Sequence, residues 1–529
     1  MGIVAVAAEA QPRKRNMSTK DRSTTTSIWW IKRDFRLHDN DALTAALEKH
    51  KFVLPVFVFE PDLINQTDYS AMHINAWSQA LHDLRERLRA IDSDIYVETG
   101  DIETVLSTLS EKIQFEAIYS HEETGNDWTF KRDIALANWC QSRSIDWFEF
   151  PQTGVIRALK NRDKKQAIIK ERLTDQAVVP GPDTVPIPES ARSLCKQQAI
   201  SDYKEFYAEK SYTNVMFDQL QPVSETQARA ELKSFLYDRG VGYSGGISSP
   251  NTAFECGSRL SVHLAWGTIS LRTVFKATAR AQLHHREQNT DAAKQWGKSL
   301  RAFTSRLHWH DHFIQRLESV PSTEFCAINP AYANVQYQDD SEKLHAWTNG
   351  LTGFPMVDAC MRCLQAIGFI NFRMRAMVVS FAVYALHLSW RTIHPPLARI
   401  FLDYEPGIHL SQLQMQAGVV GINTIRVYNP TKQILDQDPD CLFIKKWIPE
   451  LADFKAAEII DYESKLLGDY PAPVVDFKAE SKLMKDQIFA IRKSAEGKES
   501  SAAVLNEHGS RKKTAARKNK KPSAQINLF

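Results

Sequence analysis

Ile28-Trp29-Trp30-Ile31 is the first of five short runs rich in β-branched and aromatic residues, and it decides how the N-terminal part of the chain is read. The others are Phe52–Phe59, Ile95–Val97, Ala117–Tyr119 and Trp147–Phe150. Each has the length of a single strand. The stretches between them, such as Met72–Ile91, place apolar residues at helical spacing. Strands alternating with helices predict an α/β domain with a doubly wound parallel sheet over residues 27–150.

On the N-terminal side, residues 1–26 carry Arg13, Lys14, Arg15 and a Ser/Thr run, and are expected to be disordered because they offer little to bury. On the C-terminal side, residues 151–235 are punctuated by Pro180-Gly181-Pro182 and Pro186–Pro188 and read as an interdomain linker. Residues 236–490 lose the strand signal. Helical patterns at Trp296–Leu317, Glu342–Trp347, Met356–Ile367 and Arg373–Trp390 predict an all-helical second domain. Residues 491–529 gather Arg511, Lys512, Lys513, Arg517, Lys518, Lys520 and Lys521 and read as a basic, disordered tail, either solvated or touching DNA phosphates.

A length of 529 residues exceeds one hydrophobic core, and 43% hydrophobic with 24% charged residues is the balance of a globular chain. The net charge of +3 is too small for bulk electrostatics to imply nucleic-acid binding, so any such binding must come from a local patch. Seven cysteines without a dense framework read as reduced thiols, and no apolar run approaches the ~20 residues of a membrane span. The expectation is a cytoplasmic protein with no membrane partner, monomeric by default. The 12 tryptophans point to deep packing, stacking or electron chemistry.

Several motifs carry chemistry or only imitate it. Gly240-Val241-Gly242-Tyr243-Ser244-Gly245 has a dinucleotide-binding pattern but follows a helical segment, so it reads as a flexible loop. His308, His310 and His312 resemble a metal cluster, yet only His308 and His312 share a helical face. The zinc set is incomplete, and no metal site is expected. Cys360 and Cys363 sit in an apolar helical pattern as core thiols. Gly257-Ser258-Arg259-Leu260-Ser261 precedes a helix expected at Val262–Trp266, and has two readings: a pyrophosphate cradle or simple helix capping by Ser. Arg373 and Arg375 interrupt an apolar helix and call for a carboxylate, which Asp403 or Glu405 could supply as a structural ion pair or a functional one.

These blocks together resemble the DNA photolyase/cryptochrome family. Trp30 to Asn40 is similar to the first strand and turn of the family's antenna-type domain. Gly257–Ser261, Thr352–Pro355 with Val357–Ala359, Arg373, Arg375, Trp390, Asp403 and Arg426–Pro430 follow in the family's order, over residues 27 to about 455. The resemblance implies a helical C-terminal domain holding FAD, with Gly257, Ser258, Arg259, Leu260 and Ser261 around the pyrophosphate. It also implies Arg375 paired with Asp403 beside the isoalloxazine, Glu405 toward the ribose or ring, and Tyr243 toward the phosphates. A second, antenna chromophore of folate or flavin type is left open, with Glu122–Asn126 as a stretch that would line its site.

The departures from the family are specific. His409 stands where repair enzymes commonly carry Asn facing flavin N5. The family's three-tryptophan chain maps onto Leu413, Trp390 and Tyr337, so its first link is lost. In the substrate pocket the usual acid maps onto Arg306 and the second tryptophan onto Met415, while Trp309 is retained. The implied function is that of a deoxyribodipyrimidine photolyase. It would repair UV-induced pyrimidine dimers in DNA by electron transfer from photoexcited reduced FAD, with Trp309, Arg306, His409 and Met415 at the reacting site and Trp390 and Tyr337 in electron transfer. The alternative is a cryptochrome-like blue-light photoreceptor that signals through a partner without repair.

Overall fold

The computed structural model describes residues 23–159, 162–207, 214–288 and 290–508. All five expected strands form: β1 (Ser23–Trp30), β2 (His50–Phe59), β3 (Tyr96–Thr99), β4 (Ala117–His121) and β5 (Asp146–Phe150). They make one parallel sheet in the order β3-β2-β1-β4-β5, with Ile28 opposite both Leu54 and Ile118. The chain winds outward from β1 in one direction and then restarts at β4, so the order reverses between those two strands. In open α/β sheets that reversal opens a crevice at the carboxyl ends of the strands.

Local chemistry starts the connecting helices where the sequence turns polar. Asn40 caps the helix Asp41–Lys49 by accepting from Leu43 N at 2.9 Å, Asp101 caps Ile102–Lys112 through Thr104 N at 2.8 Å, and Asn126 caps Asp127–Arg143 through Thr129 N at 3.2 Å. One core cluster joins Ile28, Trp30, Leu54, Val56, Leu106, Ile118 and Leu136. Burying each such side chain contributes about 1.5–3 kcal/mol.

The chain divides into two compact units that do not follow the boundaries read from sequence. The first takes residues up to Pro321 with Cys360–Arg373 and Pro395–His409, and the second takes Ser322–Ala359, Met374–His394 and residues from Leu410 onward. Residues 236–321 thus belong with the sheet. The physical reason is the loop after β1. Arg33 Nε donates to the Ala265 carbonyl at 2.9 Å, Arg36 Nη1 to the Gly267 carbonyl at 2.8 Å, and Arg272 grips Asp39 through Nε at 2.9 Å and Nη2 at 2.6 Å. Gly267 has φ +66, and a Cβ there would collide with the Arg33 carbonyl.

Other boundaries also move. Residues 1–22 and the basic cluster from Arg511 onward lie outside the described residues, but Ser23 already belongs to β1 and Ala495–His508 is a helix where a tail was expected. That helix buries Gly497, Val504 and His508, which supply the apolar contacts the composition of the tail concealed. The stretch 151–235 is not a bare linker. It holds helices Glu189–Gln197 and Glu225–Ser234, and Ile187, Ala191 and Cys195 join the sheet's core. The Gly240–Gly245 stretch is a chain of short helical turns, pinned where Ser299 Oγ donates to the Val241 carbonyl at 2.7 Å. The helix expected to run from Arg373 to Trp390 ends at Tyr384, and Trp390 opens a new one. His387 takes φ +57 in the break, while Asp339 accepts from Ser389 N at 2.6 Å. Among the described residues no single helix is long and apolar enough to cross a membrane.

Candidate cofactor and substrate site

Most of the expected site residues fall in the first unit. Tyr243 follows the helical turns after Glu225–Ser234, Gly257–Ser261 enters a five-residue helix, and Arg306 and Trp309 lie on the long helix Asp291–Ser319. Asp403, Glu405 and His409 come from the segment Pro395–His409. Arg375, Met415, Trp390, Tyr337 and Leu413 belong to the second unit.

The Gly257–Ser261 loop is held from behind by residues the sequence gave no reason to single out. Arg239 donates to the Gly257 carbonyl and, at 3.0 Å, to the Ser258 carbonyl. Gln221 takes Arg259 Nε at 3.1 Å and donates to the Arg259 carbonyl at 2.7 Å. His263 is fully buried, and burial lowers its pKa to about 3, so it stays neutral, with Nδ1 on Thr268 Oγ1 at 2.8 Å and Nε2 facing Gln221 Nε2 at 3.3 Å. Gln221 lies far upstream of the loop, and no local pattern could have announced the contact.

Within that frame Arg259 adopts φ +58 and lays its guanidinium over Phe369, 4.2 Å from the ring centre. This side chain is therefore committed to packing and to Gln221. Leu260 is buried and takes the N-cap position without a side-chain cap bond, so the capping role read for Ser is not filled at the helix start. Ser261 is exposed as the first residue of the helix, and Ser258 Oγ accepts only a long bond from Leu260 N at 3.4 Å.

Tyr243 is buried against Phe235 and Phe303, and its hydroxyl is hydrogen-bonded to Arg306; burial pushes the phenol up to about 12. Arg306 in turn stacks its guanidinium 4.0 Å from the Trp309 ring centre and 5.9 Å from that of Phe372, and burial lowers its pKa. Trp309 and Arg306 are both partly exposed.

The segment carrying Asp403 is bolted to the α/β part of the same unit. His73 Nε2 donates to the Phe401 carbonyl at 2.9 Å, Trp266 Nε1 to the Leu402 carbonyl at 2.8 Å, and Arg33 Nη2 to the Tyr404 carbonyl at 2.6 Å. Tyr404 Oη reaches Asp68 at 2.6 Å. The Glu405 carboxylate lies 3.6 Å from Arg33 Nη2. It lines a cavity of about 50 Å³ with Lys32, Glu122, Thr124 and His310, and burial raises its pKa against the pull of Arg33. Of the Glu122–Asn126 stretch, Glu122 and Thr124 line this cavity, Glu123 binds Arg132 at 2.6 Å, and Asn126 caps a helix. The ring of His409 packs edge-on against Tyr404.

Of the three histidines, His310 meets Asp311 at 3.1 Å and His308 packs on Phe275. Among the described residues no group of three or more His, Cys, Asp or Glu is arranged to hold a metal ion. In the second unit Trp390, Leu413 and Met415 are buried. The Tyr337 hydroxyl is buried without a hydrogen-bond partner, and its pKa is raised by burial.

Residues 27–170 match the family DNA photolyase, and residues 303–490 match the FAD binding domain of DNA photolyase. A deoxyribodipyrimidine photo-lyase of Alkalihalophilus pseudofirmus is 26% identical over 86% of this chain and 95% of its own length. A cryptochrome DASH of Gloeobacter violaceus is 25% identical over 86% of this chain and 94% of its own. Among solved structures, an archaeal photolyase from Sulfolobus tokodaii with two FAD molecules superposes with a TM-score of 0.72 at 24% identity, covering 88% of this chain and all of that one. A class III photolyase of Agrobacterium tumefaciens gives a TM-score of 0.74 at 22% identity over 92% of this chain and 100% of its own. The chain belongs to the DNA photolyase/cryptochrome family and is an FAD-binding flavoprotein of that family.

The residues present fit such a cofactor. Asn371 holds the carbonyls of Ile247 and Ser248 at 3.0 and 2.8 Å while its own buried Oδ1 has no donor, and Arg373 Nε is likewise buried without an acceptor. Buried polar atoms without partners are costly, and a bound polar group relieves that cost.

Proposed function

We propose that the chain is a deoxyribodipyrimidine photolyase that splits UV-induced pyrimidine dimers in DNA, driven by electron transfer from photoexcited reduced FAD. The observation that carries this reading is the partly exposed Arg306–Trp309 stack, backed by the buried Tyr243 hydroxyl. An aromatic face beside fixed guanidinium donors suits a flipped pyrimidine, which stacks on the ring and presents carbonyl oxygens to the N–H groups. Extruding a base costs a few kcal/mol and least for a damaged one, so the lesion selects itself.

Bound FAD supplies light absorption and one-electron transfer. Ser258 and Ser261 would hold its pyrophosphate, together with the backbone of the Gly257–Ser261 loop. Arg375 would supply a positive charge to the isoalloxazine. His409 would supply an imidazole toward the flavin ring. Met415 packs as an adaptable wall against the extruded base. Leu413 cannot be oxidised, so electron supply falls to Trp390. The Tyr337 hydroxyl has no hydrogen-bond partner among the described residues to take up the proton that tyrosine oxidation releases.

Purified protein should be yellow with bound FAD, and its spectrum also reports any antenna chromophore of folate or flavin type. The reduced protein, incubated with a dimer-containing oligonucleotide, should restore the pyrimidines in light and not in darkness. Failure of light-dependent dimer loss rejects the reading. The second reading is a cryptochrome-like photoreceptor, favoured by Arg306 standing where repair enzymes carry an acid and by relatives named cryptochrome DASH. It requires light-induced flavin chemistry without lesion binding.

A further inference from the structure

The chain as a whole is close to electroneutral, with 66 Lys and Arg against 63 Asp and Glu, but its charges are not evenly spread. Residues 271–286 and 292–310 contain eight Lys or Arg and no Asp or Glu. These residues fall in two consecutive helices, Leu271–Glu287 and Asp291–Ser319. The helices lie side by side and antiparallel: Phe275 packs on His308 at 5.0 Å, Gln282 bonds Thr304 at 3.2 Å, and His285 stacks on Trp296 at 4.3 Å.

Two of the eight basic residues are committed to structure, Arg272 to Asp39 and Asp41, and Arg306 to Tyr243 and Trp309. The outward ones follow helical spacing. Lys294, Lys298, Arg301, Ser305 and His308 recur every three or four residues and form one exposed stripe. On the neighbouring helix Lys276 and Arg280 are one turn apart, alongside the 301–308 part of the stripe. Lys294 pairs with Asp291 at 2.8 Å, whereas Lys276, Arg280, Lys298 and Arg301 form no ion pair among the described residues. An ordinary solvated face mixes both signs. Beyond Asp291, which precedes Lys294 by three residues on the same face, this stripe carries one sign, and it runs along the helix that bears Trp309, with Lys298 about 16 Å away at 1.5 Å per residue.

We infer that Lys276, Arg280, Lys298 and Arg301 form a phosphate-binding track for the DNA strand whose extruded base stacks on Trp309. This inference rests on the repair reading for the identity of the base, while the track itself is defined by charge and exposure. Contacts of this kind position the strand without reading sequence, and each one neutralised phosphate contributes about 0.9 to the slope of log affinity against log salt.

The test uses the full-length, FAD-loaded protein and fluorescently labelled oligonucleotides with and without one dimer, measured by anisotropy from 50 to 200 mM salt. Lys298→Glu with Arg301→Glu, and separately Lys276→Glu with Arg280→Glu, should each weaken binding to both oligonucleotides by about tenfold or more and flatten the salt slope by about 2. If charge reversal perturbs folding, seen as loss of FAD absorbance, Lys298→Gln with Arg301→Gln should produce the same flattening with a smaller loss of affinity. Lys432→Glu with Lys465→Glu, exposed lysines already paired with acids, controls for net charge. Equal weakening in that control, or wild-type binding and slope in the track variants, overturns the inference. Light-driven repair by wild type with unaffected track variants leaves the repair reading standing alone. DNA binding that is lost in the track variants, with no repair by wild type, leaves the track standing and removes the repair reading. Absence of DNA binding by the wild type rejects both.

Discussion

Arg306 sits one helical turn before Trp309 and serves two neighbours at once, the indole face and the Tyr243 hydroxyl. The Arg306→Ala variant should lose lesion affinity by about tenfold, since a stacked guanidinium is worth about 0.5–2 kcal/mol, and should also leave the Tyr243 hydroxyl unsatisfied. Tyr243→Phe should cost less, and a double-mutant cycle of the two by denaturant unfolding should return a coupling of about 0.5–3 kcal/mol. A second residue sets a pH limit. Burial and the nearby Arg33 lower the His73 pKa to about 4, partly offset by its bond to the Phe401 carbonyl, and its buried Nδ1 has no partner for a proton. The folded pKa lies below the unfolded one, so the contribution is complete above about pH 6.5 and lost as pH falls toward 4, amounting to about 3 kcal/mol. Thermal unfolding followed from pH 7 to 4.5 should show this loss, and His73→Gln, which keeps a donor for the Phe401 carbonyl without a titrating ring, should show a flatter profile.

At the scale of elements, the loop after β1 does more than end a strand. Gly267 turns with φ +66 directly beneath the Arg33 carbonyl, so Gly267→Ala meets both an unfavourable backbone angle and a backbone collision. It should destabilise by about 2 kcal/mol or more, read as a clear fall in Tm. The five strands were legible because their apolar runs are continuous and separated by helical spacing, a local signal. The same local reading failed at residues 151–235, where Pro punctuation hid Ile187, Ala191 and Cys195 packing on the sheet, and at Glu405, whose partner Arg33 lies hundreds of residues away. The long helix around Trp309 was readable, with its start at Asp291 fixed by the Thr290 cap. The support of the Gly257–Ser261 loop by Arg239, Gln221 and His263 was not readable, because isolated polar residues carry no periodicity.

At the scale of the whole molecule, the first compact unit is assembled from three separated stretches of chain. A fragment ending at residue 150 would leave Arg36 and Asp39 without Gly267 and Arg272 and uncover the sheet where Ile187 packs. It should lack a cooperative unfolding transition and near-UV circular dichroism, while the full chain shows both. Arg33 makes the point most sharply, because one guanidinium holds the Ala265 carbonyl through Nε and the Tyr404 carbonyl through Nη2, the second partner lying 371 residues further along. On a ribosome adding about 5–20 residues per second, Arg33 emerges roughly 20–70 s before that carbonyl exists. The loop after β1 must therefore wait for residue 404 with a charged side chain kept in water. Slowing elongation between the codons for residues 270 and 400 should lengthen the period in which the nascent chain is vulnerable to proteases.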